Sequence, residues 1–396
     1  MNNINQYNFS GKKALVRVDF NVPLDADYKI TDDTRIVASL QTIKKIISDG
    51  GSVILMSHLG RPKGGFEEKY SLKHLTGHLA ELLHCDIQFA TDCIGQQTRH
   101  LAKSLKPGEI LLLENLRFHK EEEEGNEKFS KELAGLGDVY VNDAFATAHR
   151  AHASTTIVAG FFKEKLFGYL VENELSGLEK VLSKPARPFT AIVGGAKVSS
   201  KITILENLLG KVDNLIIGGG MAFTFIKAMG GKVGTSIVEE DKIYLSYKIF
   251  ELADKNKVKI YLPVDAIIAD KFDNSASTKV AEINKIEDGW MGLDIGEESI
   301  KKFCEIIESS KTILWNGPMG VFEMPKFENG TLKIALAVAK ATVNGCYSLV
   351  GGGDSVAAIN KYKLAGQVSY MSTAGGAMLE YLEGKELPGI KAVKEL

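Results

Sequence analysis

Short, continuous apolar runs rich in Val, Ile and Leu recur along the chain, separated by segments of helical period. In the first half they are ALVRVDF (14–20), SVILMS (52–57), EILLLE (109–114) and DVYVND (138–143). In the second half they are FTAIVGG (189–195), NLIIGGG (214–220), KIYLPVD (259–265), TILWNG (312–317), YSLVGGG (347–353) and VSYMSTAGG (368–376). Continuous rather than alternating apolarity predicts strands covered on both faces, as in a parallel sheet flanked by helices. Segment 34–51 predicts one such helix: Ile36, Leu40, Ile43 and Ile47 share a face, and Gly50-Gly51 ends it. The expected class is therefore α/β, with a parallel sheet in each half. Segment 169–184 reads as a helix joining the halves, closed by PARP (185–188). The boundary falls there, with domains over 1–170 and 171–379.

Nearly every run ends in Gly, Asp, Asn, His or Arg, and ligands of open α/β sheets bind outside the carboxyl ends of the strands. The residues at those ends divide unevenly. Six of seven arginines and all eight histidines lie within the first 152 positions, and Arg187 is the only arginine beyond them. Guanidinium is a planar fork matched to carboxylate and phosphate, whereas ammonium is a flexible point charge. The first half is thus expected to grip a small anion. The second must work without imidazole.

Composition narrows the function. A length of 396 residues favours two domains, each able to bury a core. A net charge of −2 argues against nucleic-acid or membrane partners. The four cysteines have no CxxC spacing and read as free thiols of a reducing compartment. MNNINQYNFSGKK lacks the apolar core of a signal peptide, and no run of about eighteen apolar residues suggests a membrane span. A cytoplasmic protein is expected.

In the first half, Arg17, Asp19 and Asn21 end the first run, and Arg35 opens the next helix. His58 and Arg61 follow the second run, Arg117 the third, and His149, Arg150 and His152 the fourth. In a parallel sheet these loops meet on one rim. Five guanidiniums and three imidazoles there make a positive patch for phosphate or carboxylate, and Asp19 and Asn21 are placed to accept from hydroxyls. Arg99 reads as surface, His74, His78 and His84 as structural, and the run Glu121–Glu124 as a solvated face. His149-x-x-His152 has the wrong spacing for a zinc helix.

The second half has no GxxxxGK[ST] loop, and GGGMAF (218–223) lacks the third glycine of a dinucleotide fingerprint. Four glycine clusters nevertheless follow expected strands: Gly194-Gly195, Gly218–Gly220, Gly351–Gly353 and Gly375-Gly376. Bare backbone lets phosphate approach closely, and helix N-termini supply N–H donors. Lys197 and Lys201, at i and i+4, are expected on one helix face suited to polyphosphate. Asp354 among phosphate-type glycines calls for an intervening cation, Mg²⁺ carried by a nucleotide. Glu323 is placed to accept from ribose hydroxyls.

With RVDFNVP, SHLGRP, ENLRFH, NDAFATAHRAHAST, GGAKVSSK, WNGPMGVFE, GGGDS, STAGGAMLE and LPGI in this order, the chain resembles the phosphoglycerate kinase family almost end to end. The resemblance implies two Rossmann-like domains with a cleft between them, and a C-terminal segment (about 380–396) returning to the first. It implies reversible phosphoryl transfer between 1,3-bisphosphoglycerate and ADP, giving 3-phosphoglycerate and ATP, on domain closure in a monomer. Substrate positions fall on Arg17, Asp19, Phe20, Asn21, Arg35, His58, Leu59, Gly60, Arg61, Arg117, His149, Arg150 and His152. Nucleotide positions fall on Lys197, Lys201, Gly219, Glu323, Gly352, Gly353, Asp354 and Ser355, with Asp354 toward the magnesium. Arg35, Lys197, Gly375 and Gly376 are expected to act on the moving phosphoryl group. The chain departs from the family pattern at Ala146, Ser200, Ala374 and Met378. A dehydrogenase would need an intact GxGxxG, and a non-catalytic binding protein would leave Lys197, Lys201 and Asp354 without a task.

Overall fold

A computed structural model describes residues 3–395. They divide into two compact units, one built from the chain up to Leu175 and from Glu386 onward, the other from Ser176–Lys385. The chain passes from the first to the second inside the helix Tyr169–Leu182.

The first unit holds six strands: β1 (Lys13–Val18), β2 (Ser52–Met56), β3 (Ile87–Phe89), β4 (Ile110–Leu112), β5 (Val139–Asp143) and β6 (Lys165–Phe167). All pair in parallel, in the order β3-β4-β2-β1-β5-β6. The chain lays β2, β3 and β4 on one side of β1, with β4 between β2 and β3, then places β5 on its other side. That reversal creates a crevice at the strand ends. Val16, Val18, Val53 and Leu55 are fully buried in one core with Ile36 and Ile43 of the helix Thr34–Ser48. The helix turns Ile36, Ser39, Ile43 and Ile46 inward, while Leu40 and Ile47 pack at the core's margin. It stops because Gly50, at φ +83°, reverses the chain and lets the Gly51 amide donate to the Ile46 carbonyl at 3.0 Å. The last helix, Pro388–Lys394, packs into this unit. The Asn142 amide donates to the Gly389 carbonyl at 3.2 Å and Lys165 Nζ to the Ala392 carbonyl at 2.9 Å.

The second unit contains β7 (Phe189–Val193), β8 (Asn214–Ile217), β9 (Lys232–Val233), β10 (Lys259–Tyr261), β11 (Asp265–Ala269), β12 (Thr278–Glu282), β13 (Lys285–Ile286), β14 (Met291–Ile295), β15 (Thr312–Asn316), β16 (Tyr347–Val350) and β17 (Tyr370–Met371). The main sheet is parallel, in the order β10-β8-β7-β15-β16-β17, and reverses between β7 and β15. A smaller antiparallel sheet, β12-β11-β14, joins it. The run KIYLPVD is therefore split. Pro263 has no N–H for a ladder, so β10 ends at Tyr261 and β11 starts a different sheet at Asp265. Both units are thus helix-flanked parallel sheets, the class expected from the apolar runs. Among the described residues no helix is long and apolar enough to cross a membrane.

Candidate functional site

In the first unit, β4, β2, β1 and β5 are neighbours, and the loops at their carboxyl ends carry the expected residues. The charges of Arg17, Arg117, Arg150 and Arg35 all act on His58, which is 4% exposed. Burial first, then those four guanidiniums, hold its imidazole well below the usual range. His152 is pushed down to about 4 by burial and by Arg117, Arg17 and Arg150. Both rings are therefore neutral near pH 7, which corrects the expectation of imidazole charge. The positive field comes from guanidinium, and these imidazoles serve as neutral hydrogen-bonding groups.

The grip has two layers. Arg35 Nη1 donates to Asp19 Oδ2 at 2.9 Å and to the Asn21 carbonyl at 3.2 Å, and its side chain is 39% exposed. Asn21 Oδ1 accepts from the Gly60 amide at 2.8 Å, and Arg117 Nη1 donates to the Gly60 carbonyl at 2.8 Å. The loop after β2 is thereby fixed from both sides. Gly60 sits at φ +63°, and a Cβ there would meet the Tyr70 ring at 2.3 Å. Arg61 is exposed on the same loop. Arg150 Nε donates to His149 Nε2 at 3.1 Å.

Arg17 lies beneath, 1% exposed, with each of its three nitrogens on a protein partner. Nη2 meets His58 Nδ1 at 3.3 Å, Nη1 bonds the Val18 carbonyl, and Nε donates to Ser154 Oγ at 2.8 Å. Ser154 Oγ in turn donates to Glu122 Oε1 at 2.6 Å, and the Ser154 amide donates to Oε2 at 2.9 Å. Glu122 is fully buried, so the acidic run is not wholly a solvated face: its second residue turns inward from the short helix Lys120–Glu123 to offset Arg17. Phe20 and Leu59 are buried side chains of the core. Asn115 receives the Leu59 and Arg117 amides and donates to the Leu59 carbonyl. Nothing in composition marked Asn115 or Ser154 for this work; their signal was membership of the strand-end motifs.

In the second unit, a cavity of about 440 Å³ opens at the strand ends, lined in part by Gly195, Gly219, Gly220, Pro318, Glu323 and Asp354. It lies beside the β7/β15 reversal. A Cβ on Gly194 would meet the Pro318 carbonyl at 2.1 Å, so the loops after β7 and β15 approach more closely than any side chain permits. Asp294 forms part of the wall, accepting from the Gly330 and Ile295 amides at 2.7 and 2.9 Å. Burial pushes its carboxyl up to about 7.

Lys201 Nζ donates to the Asn316 carbonyl at 3.1 Å and also bonds Asn316 Oδ1. Burial lowers its pKa to about 8, against the opposing pull of Asp354. The two lysines do not share a helix face. The helix starts at Ile202 with Lys201 as its N-cap, and Lys197 stands exposed in the preceding turn. Ser200 Oγ donates to the Lys197 carbonyl at 2.8 Å.

Gly352, at φ +89°, caps the helix Gly353–Lys361, which exposes Asp354 in its first turn. Ser355 faces inward, its Oγ accepting from the Gly317 amide at 2.6 Å. Gly375, at φ +54°, caps the helix Gly376–Leu382. Ala374 is not among the residues of positive φ, so its methyl group is accommodated, and its amide donates to Ser372 Oγ at 3.3 Å. Met378 is fully buried and packs under Gly351.

The family model for phosphoglycerate kinase matches residues 4–385. The chain is 54% identical to a phosphoglycerate kinase of Porphyromonas gingivalis, over 99% of each sequence. It is 53% identical to a cytosolic phosphoglycerate kinase of Triticum aestivum, over 99% of this chain and 98% of the relative. The structure superposes on that of phosphoglycerate kinase from Coxiella burnetii with a TM-score of 0.92 and 42% identity, covering 99% of this chain and 98% of the other. With the Pyrococcus horikoshii enzyme the TM-score is 0.84 at 33% identity, covering 100% and 98%. A matching model across nearly the whole sequence, and relatives of this identity and coverage, establish that the chain belongs to the phosphoglycerate kinase family.

Proposed function

We propose that the first unit binds 3-phosphoglycerate or 1,3-bisphosphoglycerate, that the second binds MgADP or MgATP, and that the phosphoryl group passes directly between them. The observation that carries this reading is the set of four guanidiniums gathered around a neutral His58, with Asp19 and Asn21 beside them. Guanidinium forks hold a phosphate, the neutral imidazole hydrogen-bonds without adding charge, and Asp19 orients Arg35 and meets a substrate hydroxyl. In the second unit, glycine-lined loops admit the nucleotide, Lys201 meets its phosphates, and Glu323 meets ribose. Asp354 is an exposed carboxylate at the mouth of that cavity, a poor neighbour for phosphate unless a cation lies between. It fits the magnesium that travels with the nucleotide as substrate.

In the direction from ATP, the nucleophile is the carboxylate of 3-phosphoglycerate, ionised at neutral pH. No general base is required, which accounts for a nucleotide unit without histidine. Catalysis then rests on position and on charge placed where it develops. We assign Arg35 and Lys197 to the moving phosphoryl group, with the Gly375 and Gly376 amides, since the Ala374 amide is engaged by Ser372. Arg17 acts through His58, which it orients.

The test is a coupled assay. ATP and 3-phosphoglycerate should yield an acyl phosphate that glyceraldehyde-phosphate dehydrogenase consumes with NADH. Folded protein without turnover would overturn the reading. Because the substrates bind different units, transfer requires closure. Small-angle scattering should show compaction with both ligands present, and unchanged profiles would count against it.

A pH dependence follows from Lys201. Its amine, at about 8, is charged at pH 7 and mostly neutral at pH 9. Nucleotide affinity should fall about tenfold over that interval, the amount a one-unit titration on each side of the pKa gives. Calorimetric Kd values at the two pH values, with Lys201→Met as the variant that loses the dependence, check it.

A further inference from the structure

Among the described residues, one group of three metal-ligating side chains contains none of the expected substrate or nucleotide residues: Asp92, Cys93 and His119. Asp92 and Cys93 follow the carboxyl end of β3, and His119 follows the turn Leu116–Phe118 beyond the adjacent strand β4. One carboxylate oxygen, one thiol sulfur and one imidazole nitrogen lie within 4.8 Å of one another. We propose that they form a binding site for a divalent cation of the zinc class.

The donor set is mixed and borderline-soft, which suits zinc and cobalt and disfavours calcium and magnesium. Tetrahedral bonds of about 2.0–2.3 Å place ligand atoms about 3.3–3.8 Å apart. His119 Nε2 and Asp92 Oδ1 now stand 2.7 Å apart, so the ion enters by opening that pair and drawing the sulfur inward. Asp92 and His119 are partly exposed and face arriving solvent, while Cys93 is fully buried behind them. The carboxylate is already aimed, with Oδ1 accepting from the Cys93 amide at 2.6 Å. Thr98 Oγ1 pins the same loop by donating to the Asp92 carbonyl at 2.9 Å. The imidazole rests against the Phe129 ring, 5.3 Å between centroids.

The Cys93 thiol is fully buried, within 4.8 Å of the other two ligand atoms. Nothing in the phosphoryl-transfer chemistry uses it. On binding, the S–H proton and the His119 Nε2–H proton leave to solvent, the thiolate and the imidazole take the ion with Asp92, and a water completes four-coordination. Occupancy would fasten the loop after β3 to the turn that carries Arg117.

The alternative is an imidazole–carboxylate ion pair beside an inert thiol. Cobalt(II) separates the two, because only a thiolate ligand gives an intense ligand-to-metal charge-transfer band. The nucleotide-free full chain, titrated with CoCl₂ under reducing conditions, should bind one ion with that band, and ZnCl₂ should displace it. Cys93→Ser should abolish the band, excluding Cys85 and Cys304 as its source. His119→Gln and Asp92→Asn should each weaken binding at least tenfold, and they decide the matter if Cys93→Ser does not fold. The absence of the band, its persistence in folded Cys93→Ser, or unchanged affinity in both other variants would overturn the proposal.

Discussion

Replacing Arg35 by alanine should lower kcat by about 10³–10⁵, the range seen when a guanidinium that stabilises a moving phosphoryl group is removed. The position explains why the loss should appear in kcat. Arg35 stands in the first turn of the helix Thr34–Ser48, half in solvent, with one nitrogen on Asp19 and the Asn21 carbonyl. It belongs to no apolar cluster, so truncation leaves the core intact. Arg35 is the exposed end of the pair and Asp19 the buried one, so truncation should cost about 1–3 kcal/mol of stability. Nucleotide affinity should be unchanged and the unfolding midpoint modestly lowered. Steady-state kinetics, nucleotide titration and urea unfolding of the one variant check all three. An unchanged kcat sinks the assignment of Arg35 to the transferred group.

The second large effect is on stability. Glu122→Ala should cost about 3–5 kcal/mol, the cost of stranding a buried charge by removing its counter-charge. Glu122 is fully buried and tied through Ser154 to Arg17, itself 1% exposed. Without the carboxylate, the guanidinium keeps only neutral partners in the Val18 carbonyl, Ser154 and His58. Because other arginines of the grip repel it as well, an anion in the site should recover part of the loss. 3-Phosphoglycerate should accordingly raise the urea midpoint of Glu122→Ala more than that of the parent protein. A loss under about 1 kcal/mol, well below that expected for a stranded charge, would show that Arg17 does not depend on Glu122.

What could be read from the residues depended on how far each signal extended. The long buried strands β1, β2, β5, β7 and β15 announce themselves because both faces are covered. The edge strands β3 and β6 are three residues each, too short for any period to register. The antiparallel β12 is mostly exposed and gives no apolar run. Within the grip, residue type and strand-end position marked the guanidiniums, while depth stayed hidden. Arg17 and Arg35 look alike in sequence, yet one is internal and the other half in solvent. Glu122 shows the same blindness, since a run of four glutamates carries no mark of which member turns inward. The protonation of His58 and His152 depends on burial and on neighbours from separate segments of the chain, which no local pattern encodes.

The last helix bears on how the protein is made. The Asn142 amide and Lys165 ammonium of the first unit bond carbonyls of residues 389 and 392, after the whole second unit has intervened. On the ribosome the first unit emerges before the second but lacks these partners until residues 386 onward follow. The second unit, an uninterrupted stretch of chain, has every contact of its own sheets before then. Domains generally complete in the order they emerge. Here the order of completion is inverted: the part translated first is the part finished last.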